Sequence, residues 1–348
     1  MQKKYTSIDL YSTESCEFIS YDLSGPDVAE ISDSIYSIRG SGSSIVGSYF
    51  SKNTKVIETY SSQEVISFDA TKKEITVRPS MRLSSLYDLL IPHHLYIASV
   101  PSYPFASIGG CVAADVHGQN HIKEGCFSSN IKSLVIYHPA KGFLECSPSR
   151  NNKLFNLTIG GYGSTGVIHE VRLNLIDIKT NILDVKNVPF STLLEGFELM
   201  EKASQNYDYL HSWCDMTLAN SNKQIGFISL GKYKAGSKVN KYLIDKNHEK
   251  NHLPFLLNIF GTKIMIFINK LYYVINNLKI HKEMLLHNFI FPSRLNLFYF
   301  SMFGKKGVIE HQVLIPKENA KHYIKDLMKI IENNSPIIAL CHLKVFNG

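Results

Sequence analysis

The sequence predicts an α+β protein of two domains, the first over residues 1–180 and the second over residues 181–348. Three observations carry this expectation. Up to about residue 180, short β-type runs alternate with breaks of glycine and serine. After Thr180, longer helical periodicities enter between the strands. The 348 residues, 44% of them hydrophobic, supply enough chain and apolar mass for two cores, which excludes disorder as the main state.

In chain order, strands are expected at 55–59 (KVIET), 74–78 (EITVR), 134–138 (LVIYH) and 167–178 (VIHEVRLNLIDI), where β-branched residues cluster between turn formers. A helix is expected at 83–90, because Leu83, Leu86, Leu89 and Leu90 return to one face of a 3.6-residue period. Beyond residue 180 the pattern gives a helix at 191–206, a strand pair at 209–216 and 224–230, and a strand at 310–315 (EHQVLI). A helix at 318–332 follows, with Ala320, Tyr323, Ile324, Leu327 and Ile331 on one face. The last residues, 346–348, fall within a further strand and turn.

The net charge of +7 is unevenly placed. Residues 232–282 hold ten lysines (232, 234, 238, 241, 246, 250, 263, 270, 279 and 282) against Asp245 and Glu249, so the rest of the chain is close to neutral. A basic surface spread over the molecule, as a nucleic-acid binder needs, is not indicated. The six cysteines are scattered, with no CxxC pair and no histidine at zinc-ligand spacing, and read as free thiols in a reducing compartment. Residues 1–10 have basic side chains but no apolar core behind them, so a cleaved signal peptide is not expected and the cytoplasm is the expected compartment.

Three glycine-bearing segments carry the chemistry. They are Arg39-Gly40-Ser41-Gly42-Ser43-Ser44, then Ser107-Ile108-Gly109-Gly110-Cys111 with Ala113 running on to His117-Gly118, and finally 158–168 (TIGGYGSTGVI), which contains Gly161, Gly163, Thr165, Gly166 and Ile168. Glycine lets backbone N–H groups approach a phosphate from a nest-like turn, and small hydroxylated neighbours add donors. Any one segment alone is equally a tight turn between strands. A Rossmann GxGxxG is not met, since no glycine triple sits between a strand and a helix.

In this order and at these separations the segments resemble the flavin-binding domain of the vanillyl-alcohol oxidase type, the FAD-linked oxidases. The resemblance implies a two-domain α+β flavoprotein, with an FAD-binding domain at 1–180 and a substrate or cap domain at 181–348. It aligns the first segment with the family's pyrophosphate loop, the second with its Gly-Gly strand beside the flavin, and the third with a turn near the ring. The run Asp115-Val116-His117-Gly118-Gln119-Asn120-His121, with Gly125, Phe127, Trp213, Asp215, Leu314-Ile315-Pro316, Lys344 and Phe346, is similar to the decaprenylphosphoryl-ribose 2-oxidase group. There the flavin removes hydride from C2 of a pentose on a polyprenyl phosphate.

By that resemblance His117 touches flavin and sugar, Lys344 offers a cation to the sugar phosphate, and Trp213 and Gln312 line the same pocket. Read from the residues alone, His117 could equally be a strand-end histidine bonded to a carbonyl, Lys344 a solvated lysine, and Trp213 core. Ser43 stands where covalently flavinylated relatives carry histidine, so non-covalent FAD is expected. The resemblance departs at Ser44-Ile45-Val46-Gly47, Pro79-Ser80, Ser102 and Glu310. The family's further segment, which brings a lysine and a tyrosine next to the flavin, is not found after Gly348, so the chain is expected to be a fragment or a truncated product.

The implied activity is oxidation of a polyprenyl-phosphate sugar in cell-envelope synthesis, with a reductase as partner for the keto sugar. Oxidation of a soluble sugar, aldonolactone or other alcohol, and an inactive flavin-fold remnant, are the alternatives. Residues 253–268 and 270–275 form the most apolar region, but Lys263 and Lys270 interrupt it and no spanning helix is expected. A buried core helix and an interfacial element in peripheral contact with the inner face of the cell membrane both remain open.

Overall fold

The computed structural model describes residues 2–24, 35–45, 47–219, 224–239, 257–259, 263–278, 280–292, 301–304 and 307–346. Helices and sheets are mixed throughout, in keeping with the α+β class.

A four-stranded sheet opens the chain, from β1 (Gln2–Thr6), β2 (Thr13–Asp22), β3 (Tyr36–Arg39) and β4 (Lys55–Tyr60) in the order β1-β2-β4-β3. Here β4 lies parallel to both β2 and β3, which delivers the end of β3 at Arg39 to the sheet edge. A five-stranded antiparallel sheet follows, from β5 (Val65–Asp69), β6 (Glu74–Val77), β8 (Ile131–His138), β9 (Gly142–Cys146) and β10 (Val167–Asn174) in the order β5-β6-β10-β8-β9. The short strands β7 (Leu95–Tyr96) and β11 (Ile176–Asp177) pair with each other.

Helix α1 (Leu83–Leu90) sits where the leucine spacing puts it, and buries Leu83, Leu86 and Leu90 completely against the second sheet's core. The short helices α2 (Ile108–Ala113), α3 (His121–Glu124) and α4 (Asn152–Thr158) fall between the strands. Gly109 and Gly110 therefore lie in a helix and not in a strand. The reason is local: Ser107 caps α2 by accepting from the Gly110 N–H at 3.3 Å, and the Gly109 N–H donates to the Pro79 carbonyl at 2.8 Å instead of to a sheet neighbour.

A third sheet, from β12 (Ile182–Phe190), β13 (Tyr209–Asp215), β14 (Ile225–Tyr233), β15 (His281–Leu285) and β16 (Leu340–Cys341), runs in the order β15-β12-β14-β13-β16. Helices α5 (Leu193–Ala203) and α8 (Lys317–Asn334) pack on one face, where Leu193, Met200, Ile324 and Ile331 join Leu210, Cys214 and Ile228 in a core. Helix α6 (Lys263–Leu278) lies on the other face, its Tyr272 against Trp213 and Phe227. The small helix α7 (Leu286–Ile290) brings Phe289 and Ile290 to the core that the second sheet also builds.

Three expectations are corrected. Residues 310–315 form no strand and join no sheet among the described residues, and Ile309 and Leu314 are 95% and 80% exposed. β propensity is realised only where a neighbouring strand offers its hydrogen bonds. The buried-helix reading fails for α6, in which only Met265 and Asn269 are buried. The terminal strand is limited to β16, and Asn347 and Gly348 lie outside the described residues. So do Lys241, Lys246, Lys250, Lys279, Asp245, Glu249 and residues 253–256 and 260–262.

Candidate active site

The three glycine segments, far apart in sequence, meet in space. Ser41 and Ser107 lock the first two together: the Ser107 N–H donates to Ser41 Oγ at 3.0 Å and the Ser41 N–H to Ser107 Oγ at 3.4 Å. Ser43 Oγ is bonded to Ser41 Oγ at 2.7 Å. Gly40 admits this approach, because a Cβ there would collide with Ser107 Oγ. The second and third segments are joined by the Tyr162 N–H donating to the Ala113 carbonyl at 2.9 Å and the Gly160 N–H to the Val112 carbonyl at 3.0 Å. The third segment is the turn between α4 and β10; its Thr165 hydroxyl is bonded to that of Thr158 at 2.9 Å, and Ile168 is buried in β10. Gly163, at φ +83°, lies against Ile38 of β3 and closes the ring of segments. Arg39 is fixed by its own neighbours, with its guanidinium 5.2 Å from the Tyr49 ring and 3.4 Å from Glu58.

His117 stands beside this ring of turns, in a bridge to Cys126. Lys344 reaches it from the far end of the chain and donates from Nζ to His117 Nδ1 at 3.2 Å. A lysine ammonium can only donate, so the neutral imidazole carries its own proton on Nε2. Phe346 meets His117 edge-on at 5.0 Å and tilts over His121 at 4.1 Å. Burial first, then the Lys344 charge and His121, push the His117 pKa down to about 4, with Asp115 acting in the opposite sense. His117 is therefore neutral at pH 7. Loss of hydration also lowers the Lys344 ammonium, and Glu310 opposes that shift.

Residues 29–147 match a family model described as FAD binding domain. A decaprenylphosphoryl-beta-D-ribose oxidase from Mycolicibacterium smegmatis is 22% identical over 301 residues, covering 84% of this chain and 65% of that protein. An L-galactono-1,4-lactone dehydrogenase from Oryza sativa is 31% identical over 114 residues, covering 33% of this chain and 19% of that enzyme. Among solved structures, a 6-hydroxy-D-nicotine oxidase from Arthrobacter nicotinovorans aligns over 58% of this chain and 45% of its own, at 14% identity and a TM-score of 0.47. The chain thus spans less than two thirds of the length of these curated relatives.

Residues 29–147 form an FAD-binding domain.

The residues present fit FAD on structural grounds. Arg39 Nε, Ser80 Oγ and Gln119 Oε1 are buried without a hydrogen-bond partner, a costly state that polar groups of a bound cofactor can relieve. The turn at residues 40–44 and the cap at Ser107 offer backbone N–H groups and hydroxyls of the kind that hold a pyrophosphate. When bound, FAD supplies the hydride acceptor.

The other expected site residues are placed unequally around the FAD-binding domain. Gly118 follows His117 directly and lies under the Val100 carbonyl. Gln312 donates to Glu310 Oε1 at 2.6 Å and so approaches Lys344 through that carboxylate, from an exposed position. Trp213 is buried on β13, stacked on Phe227 at 5.6 Å with Tyr272 at 5.0 Å, which is a core environment.

Two histidines went unnoticed in the sequence. His211 lies two residues before Trp213 on the same strand face, and its ring is 5.5 Å from that of His342, which precedes Lys344 by two residues. Burial, followed by His342 and Lys344, lowers the His211 pKa to about 3. The alternation His342, Lys344, Phe346 was a legible signal, since a period of two puts all three side chains on one side of an extended chain.

Proposed function

We propose that the protein is an FAD-dependent oxidoreductase that oxidises the secondary alcohol at C2 of a polyprenyl-phosphate-linked pentose, in cell-envelope polysaccharide synthesis. Residues 1–180 serve as the FAD-binding domain and residues 181–348 as the part that receives the sugar. The observation that carries this reading is the contact of Lys344 with His117, which joins the C-terminal segment to the glycine segments of the FAD-binding domain.

Oxidation of the alcohol takes a hydride from carbon and a proton from the hydroxyl, and leaves a ketone. His117, neutral at pH 7, donates from Nε2 to the alcohol oxygen and so orients it, and the hydroxyl proton leaves to water. Lys344 holds the sugar phosphate as a point charge, with Gln312 beside it through Glu310, and Trp213 supports β13 from the core. A keto sugar so formed is passed to a reductase. The match to the mycobacterial oxidase supports this substrate class because it extends over 84% of the chain. The similarity to the plant lactone dehydrogenase favours a second reading, a soluble sugar or aldonolactone, but is confined to 33% of the chain.

Anaerobic titration of the FAD-loaded protein tests the proposal. Bleaching of the flavin by a polyprenyl-phosphate pentose, with none by free pentose or L-galactono-1,4-lactone, is the expected result. Bleaching by the lactone alone would move the assignment to the second reading, and failure to retain FAD would make the chain an inactive remnant.

A further inference from the structure

Helix α6 faces the wrong way for a helix that only covers a sheet. Toward the sheet it presents Asn269, which is buried and donates from Nδ2 to Asp215 Oδ1 at 2.8 Å and to the Ala339 carbonyl at 3.1 Å. The Asn276 carbonyl on the same side accepts from Asn187 Nδ2 at 2.7 Å. Away from the sheet it exposes Ile264, Phe267, Leu271, Val274 and Leu278, all between 42% and 78% accessible. These five recur at alternate steps of three and four, so they form one continuous apolar stripe along the helix. The inward face is thus held by Met265 and Tyr272 as well as by polar bonds, and a second, apolar stripe is left to the outside.

Charge identifies what covers the stripe. Lys263 and Lys270 flank it, α6 contains no acidic residue, and residues 232–282 hold ten lysines against two acids. A second copy seated on the same stripe would set lysine beside lysine, whereas paired helices place opposite charges beside their apolar seam. An anionic lipid surface meets both features at once, with acyl chains for the stripe and headgroups for the lysines. With 16 residues, α6 is about 24 Å long, shorter than the roughly 30 Å hydrocarbon core, and no described helix is long and apolar enough to cross a membrane.

We infer that the outer face of α6 is a peripheral docking surface for anionic membrane lipid, on which the helix lies flat. The inference is independent of the alcohol assigned above, because docking needs no substrate and is read without one.

Co-sedimentation of the FAD-loaded protein with phosphatidylglycerol vesicles, and separately with phosphatidylcholine vesicles, tests it. Binding to the anionic vesicles alone is expected, and it should fall steeply at about 0.5 M salt, where screening is nearly complete within a few ångströms. Lys263→Gln with Lys270→Gln should weaken partitioning about tenfold or more. Leu271→Glu with Val274→Glu should abolish it while leaving FAD content and circular dichroism unchanged, since both side chains already face outward. Equal binding to both lipids, or binding to neither, would overturn the inference. So would a dimer in light scattering that Leu271→Glu with Val274→Glu dissolves, because the stripe would then belong to a second copy.

Discussion

Helices α1 and α6 carry apolar side chains at the same helical spacing, yet their environments are opposite. In α1 the leucines enter a core shared with the second sheet, and Tyr87 adds a hydrogen bond from its hydroxyl to the Ile97 carbonyl at 2.9 Å. In α6 Met265 and Asn269 take the inward positions, and Ile264, Phe267, Leu271, Val274 and Leu278 stay outside. Periodicity therefore reports that a helix has an apolar side, and says nothing about what that side meets. The α1 side of the molecule also holds the crowded glycine segments, so the two regions should respond very differently to substitution.

The largest effect is expected at the crowded end. Gly161→Val would drive a side chain into the Leu157 carbonyl, within the turn that closes the flavin cradle. FAD retention should be lost, as read from the absorbance of the purified protein, and unchanged FAD content would show that the turn is looser than its contacts imply.

Leu86→Ala in α1 should cost about 2–5 kcal/mol, the usual price of a large-to-small change in a fully buried site. Leu271→Ala in α6, at 48% exposure, should change stability by no more than about 0.5 kcal/mol. Urea unfolding of the pair compares the two helices directly, and similar losses would mean that the α6 stripe is covered in solution.

At the contact of His117 with Lys344, His117→Ala should slow substrate-driven flavin reduction by about 10²-fold or more, with FAD retained and the melting temperature within a few degrees. Full activity would return His117 to a structural role.

A smaller effect is expected with pH. His117 and His169 are held down to about 4 and His211 to about 3, in each case first by burial. Below the ordinary histidine value of 6.5 the unfolded chain binds protons that the folded one refuses. Stability should thus be full above about pH 6.5 and fall as the pH drops toward 4. Thermal melts across that window check the sign, and His211→Gln should flatten the slope.

How much of this was legible beforehand differs from residue to residue. The 3.6-residue period of α1, the strand 74–78 and the sequence of glycine segments could all be read directly, because each is set by contacts within a few residues. The partnership of Ser41 with Ser107, and that of His117 with Lys344, spans 66 and 227 residues, and no local pattern encodes such separations. Residues 310–315 illustrate the converse, since strand-forming side chains stay unpaired when no sheet edge reaches them.

The sequence by itself determined the α+β class, the positions of some elements such as α1, β6 and α8, and the glycine-serine chemistry that belongs with FAD, because backbone permissiveness and side-chain periodicity are properties of neighbouring residues. Only the tertiary structure decided that Gly109 and Gly110 lie in a capped helix, that Lys344 closes on His117, and that α6 turns its apolar side outward. Each of these depends on which distant group fills the remaining hydrogen bond or covers the remaining apolar surface, and that is settled by packing of the whole chain.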